Sequence, residues 1–326
     1  MSENIYWSNN VQSYYSNAIC KLKESDIRVF LLKEFYEGIA LILKQYLTIG
    51  NNKVILIKTS VTGKRNINHE INNNLLDTIL CIVRRICPKS KVILADGPAY
   101  TSFTLECCRL NWDVFSKRYD VSILDLNKDN FCPINDWPVS ETWLNADKII
   151  NLCKAKTHRR FGVTLSIKNL LGILSGDVLG YPKLSYRHER APKLLFELDT
   201  ISPKRLNIID GFCGIGGDGP MHGKPTKSDF IVIGTDSYSC DFQATIEMGF
   251  APCVTLGMIH PFMDECDNSF FLNKDDLRNL RRTHVDYFPN IGNAWMYRSL
   301  NYSFEKQQEY YDILLRGVQK CWEGKK

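Results

Sequence analysis

Along most of the chain, short apolar runs alternate with longer segments in which apolar residues recur every three to four positions. Val54–Ile57, Val92–Ala95, Val121–Leu124 and Lys148–Leu152 each read as a strand with both faces buried. Between them, Leu75–Ile86 sets Leu76, Ile79, Leu80, Val83 and Ile86 on one helical face and stops at Pro88, and Phe103–Leu110 reads as a further helix. Upstream, residues 28–47 carry Phe30, Leu31, Phe35, Ile39, Ile42, Leu43 and Tyr46 at helical spacing. That spacing predicts one amphipathic helix, ended at Ile49–Gly50–Asn51–Asn52. Downstream the alternation continues with a helix at Pro192–Leu198, strands at Leu206–Ile209 and Phe230–Ile233, and a helix at Tyr238–Met248 capped by Ser237. Tyr302, Phe304, Tyr310, Tyr311, Leu314, Leu315 and Val318 give the tail helical spacing.

Apolar strands alternating with helices predict an α/β fold. The expected architecture is a mostly parallel sheet with flanking helices in Rossmann-like layers, as one body or as two α/β lobes with the site between them. The expected divisions are an N-terminal helical segment over 1–50, an α/β core over 51–260 and a C-terminal extension over 261–326 with a terminal helix.

Composition narrows the possible partners more than it narrows the fold. A chain of 326 residues suffices for one large α/β domain or two ordinary ones. The net charge of +5 is small for that length, and basic and aromatic residues are not interleaved, which argues against a nucleic-acid surface. The polar start MSENIYWSNN has no basic and apolar signal pattern, and the apolar stretch Gly38–Leu43 is too short to span a bilayer. The expected location is therefore the cytoplasm, without a membrane partner. Oligomeric state has no signal in the sequence. The twelve cysteines contain no C-x-x-C, so neither a zinc ribbon nor an iron–sulfur cluster is expected, and most read as small core residues.

The chemistry concentrates in residues 148–176, which hold Lys148, Lys154, Lys156, Arg159, Arg160, Lys168 and His158 and no Asp or Glu. Cations set between apolar elements need an anion from elsewhere, either a distant acidic side chain or a bound ligand. If the strand before them continues, Lys154 and Lys156 share a face and depress each other's pKa, which makes a usable base. The plain alternative is a loop in which each cation is hydrated separately. Thr164 and Ser166, near a helix start, offer hydroxyl and backbone donors to an anion. A third piece runs from Asp210 to Lys224 and has five glycines within 211–219, enough for backbone amides to approach a ligand. It matches neither a Walker loop nor the dinucleotide fingerprint. Its Asp210, Asp218 and His222 are candidate acid/base groups or metal ligands, and a mobile surface loop is the plain alternative.

Two runs carry a family resemblance. One is Asp147–x–Ile149–Ile150–Asn151–x–x–Lys154–x–Lys156–Thr157–His158. The other is Gly162–Val163–Thr164–Leu165–Ser166–x–Lys168–Asn169–x–x–Gly172. Together they resemble the signature of the domain-of-unknown-function family 362, and Asp96–Gly97–Pro98, Asp210–Gly211, Gly219–Pro220, Gly234–x–Asp236 and Asp241 fit it as well. Some members of that family carry a ferredoxin-like cysteine segment, which this chain lacks. The resemblance extends distantly to the lactate racemase catalytic domain, which moves a proton or hydride at a hydroxy-acid carbon. This chain has Lys58–Thr59–Ser60 where the family usually has K-P-N, Gly216 where an acidic residue is common, and the basic pair Arg159–Arg160.

The favoured expectation is an enzyme that moves a proton on a small carboxylate- or phosphate-bearing metabolite, as an isomerase, epimerase or lyase. His158, Lys156 and Lys168 are the candidate catalytic groups. Lys58, Lys154, Thr157, Arg159, Thr164, Ser166, Asn169, Asp210, Asp218, His222 and Lys224 are the candidate binding groups, and no metal site is assigned. Alternatives are a metal- or cofactor-dependent redox or transfer enzyme using Asp210, Asp218, His222 and Cys213, and a non-enzymatic anion or nucleic-acid binder.

Overall fold

The computed structural model describes residues 28–31, 35–48, 53–63, 70–99, 101–135, 137–158, 162–176, 191–217, 219–220 and 222–248. Its strands are β1 (Arg28–Leu31), β2 (Val54–Lys58), β3 (Lys91–Asp96), β4 (Val121–Asp125), β5 (Phe131–Ile134), β6 (Trp137–Ser140), β7 (Lys148–His158), β8 (Gly162–Thr164), β9 (Leu206–Gly216) and β10 (Lys224–Gly234). Its α-helices are α1 (Phe35–Thr48), α2 (Asn73–Ile86), α3 (Phe103–Arg109), α4 (Trp112–Tyr119), α5 (Glu141–Asn145), α6 (Ser166–Asn169), α7 (Ala191–Ile201) and α8 (Ser237–Glu247).

Eight strands form one sheet in the order β1-β10-β9-β7-β2-β3-β4, with β8 paired to β7, while β5 and β6 make a separate ribbon. The five strands from β9 to β4 run parallel, and the pairings of β1, β8 and β10 are antiparallel. This is the α/β fold with a mostly parallel sheet that the alternation predicts. Eight of the ten described strands belong to that one sheet.

Alternate residues of each strand feed two cores. Ile55, Ile57, Val92, Leu94, Ile150, Leu152, Leu206 and Ile208 pack on α1 and α2, the latter through Leu75, Leu76, Ile79, Leu80 and Val83. Leu56, Ile93, Ala95 and Ile149 pack on the opposite side against Leu170, Ile173, Leu174, Leu194 and Leu198. Each such Val, Leu or Ile side chain contributes about 1.5–3 kcal/mol when fully buried. Asn72 starts α2, its side chain accepting from Asn74 N at 2.9 Å and Leu75 N at 3.4 Å. A cap of this kind is worth about 1 kcal/mol.

The structure departs from the pattern-based expectation in four places. Residues 28–31 are not the start of a helix but an edge strand on β10, and the helix begins at Phe35. A second helix, α4, follows α3 directly, with Asn111 at φ 58° making the break between them. β7 runs on to His158, and β9 and β10 extend far into the expected glycine loop, so Gly211–Gly216 is strand. The cap of α8 is Asp236, whose Oδ1 accepts from Ser239 N at 2.7 Å, and Ser237 is the helix's first residue. Among the described cysteines, Cys87, Cys107, Cys153 and Cys240 are buried, while Cys108 is exposed. No helix among the described residues is long and apolar enough to cross a membrane. The expected terminal helix at 301–322 lies outside the described residues.

Candidate functional site

The polar groups gather where β2, β3 and β7 reach their carboxyl ends and on β9 beside them, in one set around Lys58 and one around Lys154 and Lys156, with Asp96 acting on both. Lys58 closes β2 on the α6 side. Its Nζ donates to Asp96 Oδ1, Asn169 Oδ1 and Thr59 O, each at 2.8 Å. Burial pushes its pKa down and Asp96 opposes that push. Three acceptors around one nitrogen match the three N–H groups of an ammonium, so we take Lys58 as charged. Asp96 is itself held by Val61 N at 2.6 Å and Gly97 N at 2.8 Å. Gly172 roofs this pair. A Cβ there would stand 2.5 Å from Lys58 Nζ and 2.6 Å from Asp96 Oδ1, so only glycine lets the chain come this close.

From Lys58 an amide chain crosses three strands. Asn169 Nδ2 donates to Asn151 Oδ1 at 2.8 Å, Asn151 Nδ2 to Asn207 Oδ1 at 2.8 Å, and Asn207 Nδ2 to Ser237 Oγ at 3.2 Å. The strand register makes this possible, because Lys58, Asn151 and Asn207 are consecutive partners across β2, β7 and β9. The start of α6 is likewise satisfied internally. Asp241 accepts from Ser166 N at 2.8 Å, Ser166 Oγ at 2.5 Å and Ile167 N at 3.1 Å, and burial raises its pKa to about 7. The Ser166 hydroxyl and the backbone N–H groups at this helix start therefore already meet a carboxylate of the chain, while the Thr164 hydroxyl does not.

The α2 side carries Lys154 and Lys156. Lys154 Nζ lies 3.1 Å from Asp210 Oδ2, and Asp210 also accepts from Asn72 N at 2.9 Å and Phe212 N at 3.1 Å. A distant acidic side chain thus meets this cation. Lys156 is 0% exposed, yet its Nζ donates only to Ser60 Oγ, at a long 3.4 Å, and forms no ion pair among the described residues. Burial pushes its pKa down; the Glu70 carboxylate opposes that push, Lys154 adds to it, and Asp96 also opposes it. Glu70 is buried and bound by Thr62 N at 3.0 Å and Thr62 Oγ1 at 2.7 Å, with Arg109 3.6 Å away, and burial raises its pKa. Thr164 stands directly across from Lys156 in the β7–β8 pair, so the two side chains share a face. Its Oγ1 is buried and has no hydrogen-bond partner among the described residues.

The remaining candidates scatter. Thr157 Oγ1 donates to Gly217 O at 2.8 Å and accepts from Gly219 N at 3.1 Å, tying the β9–β10 turn to β7. A Cβ at Gly219 would overlap that hydroxyl. His158 is 8% exposed at the end of β7, and Lys168 is half-buried on α6. His222 and Lys224 are exposed, and Arg159 and Asp218 lie outside the described residues. No three His, Cys, Asp or Glu side chains come together as metal ligands would among the described residues. Glu70 has no sequence signal, because it sits in a polar stretch without a motif. Ser60 differs from the family pattern, and that difference marks its position.

An open, mostly parallel sheet flanked by helices, with ionisable groups at the carboxyl ends of its strands, defines an α/β protein. The chain belongs to the family described as Domain of unknown function (DUF362), whose model matches residues 55–245, more than half of its length. It is also similar to a thylakoid-associated protein of Synechocystis sp., with 26% identity over 161 residues, or 48% of this chain and 50% of that protein. The chain thus spans about half the length of the curated relative it matches.

Proposed function

We propose that the protein is an enzyme that moves a proton on a small anionic metabolite, with Lys156 and His158 at the reacting carbon. The observation that carries this reading is Lys156: a fully buried amine with one long hydrogen bond, beside a buried hydroxyl that has no partner among the described residues. Folding an unpaired cation into the core is costly, and such groups concentrate where their chemistry is used. A lysine whose pKa is lowered by burial is a competent base nearer neutral pH. His158, two residues along the same strand, supplies the second titratable group. Buried Cys107, Cys153 and Cys240 suit a reducing compartment, so a cytoplasmic location belongs to the same proposal.

Solvent deuterium wash-in tests it. Small hydroxy acids, oxo acids and phosphorylated acids are incubated with the enzyme in D2O and followed by NMR. At least one should exchange a C–H proton next to its anionic group, and Lys156→Met should slow that exchange about 100-fold or more. Anions that bind without any exchange would show that proton transfer is the wrong chemistry.

A further inference from the structure

The two sides of the sheet edge hold lysines of the same burial in different chemical states. Lys58 spends all three N–H groups on acceptors and has no lone pair to offer. Lys154 is held by a carboxylate that two backbone amides fix in place. Lys156 has neither restraint. Its one partner is a hydroxyl, which can accept from an amine or donate to it, and a second hydroxyl, Thr164 Oγ1, waits on the same face.

We propose that Lys156 is a nucleophile that forms an imine with a small oxo acid. This deepens the proton-transfer reading and rests on it for the location of the site. The Lys156 Nζ lone pair attacks the carbonyl carbon, forming the C–N bond while the C=O π pair moves to oxygen. That oxygen takes a proton from the nitrogen and becomes the hydroxyl of a carbinolamine. The hydroxyl then leaves as water with the second nitrogen proton, and C=N forms, so one amine and one carbonyl give one imine and one water. Ser60 Oγ and Thr164 Oγ1 are the hydroxyls placed to hydrogen-bond the departing oxygen. Once protonated, the imine draws electrons from the neighbouring C–H bond, so the proton that His158 removes becomes more acidic. Burial lowers the Lys156 pKa, which raises its unprotonated fraction relative to an exposed lysine.

The test is borohydride trapping. The full chain is incubated near pH 7.5 with pyruvate, reduced, digested and mapped by mass spectrometry. The proposal expects one dominant reduced adduct, on the peptide that contains Lys156, at oxo-acid concentrations that leave exposed lysines unmodified. Lys156→Met should abolish that adduct, and Thr164→Val should lower its yield several-fold. Adducts spread over exposed lysines with Lys156 spared would overturn it, as would trapping that Lys156→Met leaves unchanged. The two readings separate cleanly. Deuterium exchange without an adduct overturns the imine and leaves proton transfer standing, whereas an adduct without exchange supports the imine and overturns the proton-transfer reading.

Discussion

Lys58 and Lys156 lie at the same edge of one sheet, on strands that neighbour each other, and both are fully buried. Their surroundings differ in kind. On the α6 side Lys58 Nζ has an acceptor for each of its three N–H groups, and Gly172 packs directly against it. On the α2 side Lys156 and Thr164 are both short of partners. A saturated buried network holds a fold together, while an unsaturated one leaves bonding capacity for something else. Burial and charge alone do not distinguish the two; the number of bonds each nitrogen makes does.

The same substitution at the two positions breaks this comparison most directly. Lys58→Met should cost about 3–5 kcal/mol, because Asp96 would stay buried without its cation. Lys156→Met should cost nothing and is expected to stabilise by about 1 kcal/mol, since it removes a poorly paired buried amine. Urea unfolding of both variants beside the wild type measures this. Equal losses would mean that Lys156 is as structural as Lys58. The pH dependence sharpens the point. The Lys156 pKa lies below 10.5 in the folded chain, so the unfolded chain binds more protons between that lowered value and 10.5. Across that window wild-type stability rises with pH, and the advantage of Lys156→Met should shrink.

The next effect concerns the roof over Lys58. Gly172→Ala would push a methyl group into Lys58 Nζ, Lys58 Cε and Asp96 Oδ1, at a cost of about 1–3 kcal/mol. Deuterium exchange should survive in whatever fraction remains folded, because the atoms nearest a Cβ at Gly172 belong to Lys58 and Asp96, not to Lys156. Loss of exchange in fully folded protein would mean that the two sides act as one site.

How much of this was legible in the sequence depends on whether a signal is local. Val54–Ile57, Val92–Ala95 and Val121–Leu124 read correctly as strands because parallel strands buried on both faces are continuous apolar runs. Phe30 and Leu31 misled, because a four-residue apolar piece fits either period and its pairing with Ile231 and Phe230 lies 200 residues downstream. β7 looked finished at Leu152 because lysines rarely continue a buried strand. Here Asp210, 56 residues away, and the desolvated Lys156 carry it on. The uncompensated positive charge of residues 148–176 was visible, and so were both possible sources of its counter-anions. That Asp210 and Asp241 would take up Lys154 and the α6 start depends on strand register and helix placement, which no local pattern encodes. Glu70 was invisible for the same reason.

The smallest expected effect falls on Thr164, and it distinguishes a waiting hydroxyl from a merely awkward one. Valine has the same shape as threonine without the oxygen. At a satisfied buried hydroxyl the change typically costs about 1 kcal/mol or more, because a bond is lost and its partner is stranded. Thr164 Oγ1 has no partner among the described residues to strand. Thr164→Val should therefore leave the urea midpoint unchanged or raise it slightly, within about 1 kcal/mol. Its effect should appear in turnover instead, as slower exchange and a weaker borohydride adduct while the protein stays fully folded. A clear loss of stability would place a hidden partner on that oxygen. Unchanged stability with unchanged turnover would remove Thr164 from the site and leave Lys156 to act with Ser60 alone.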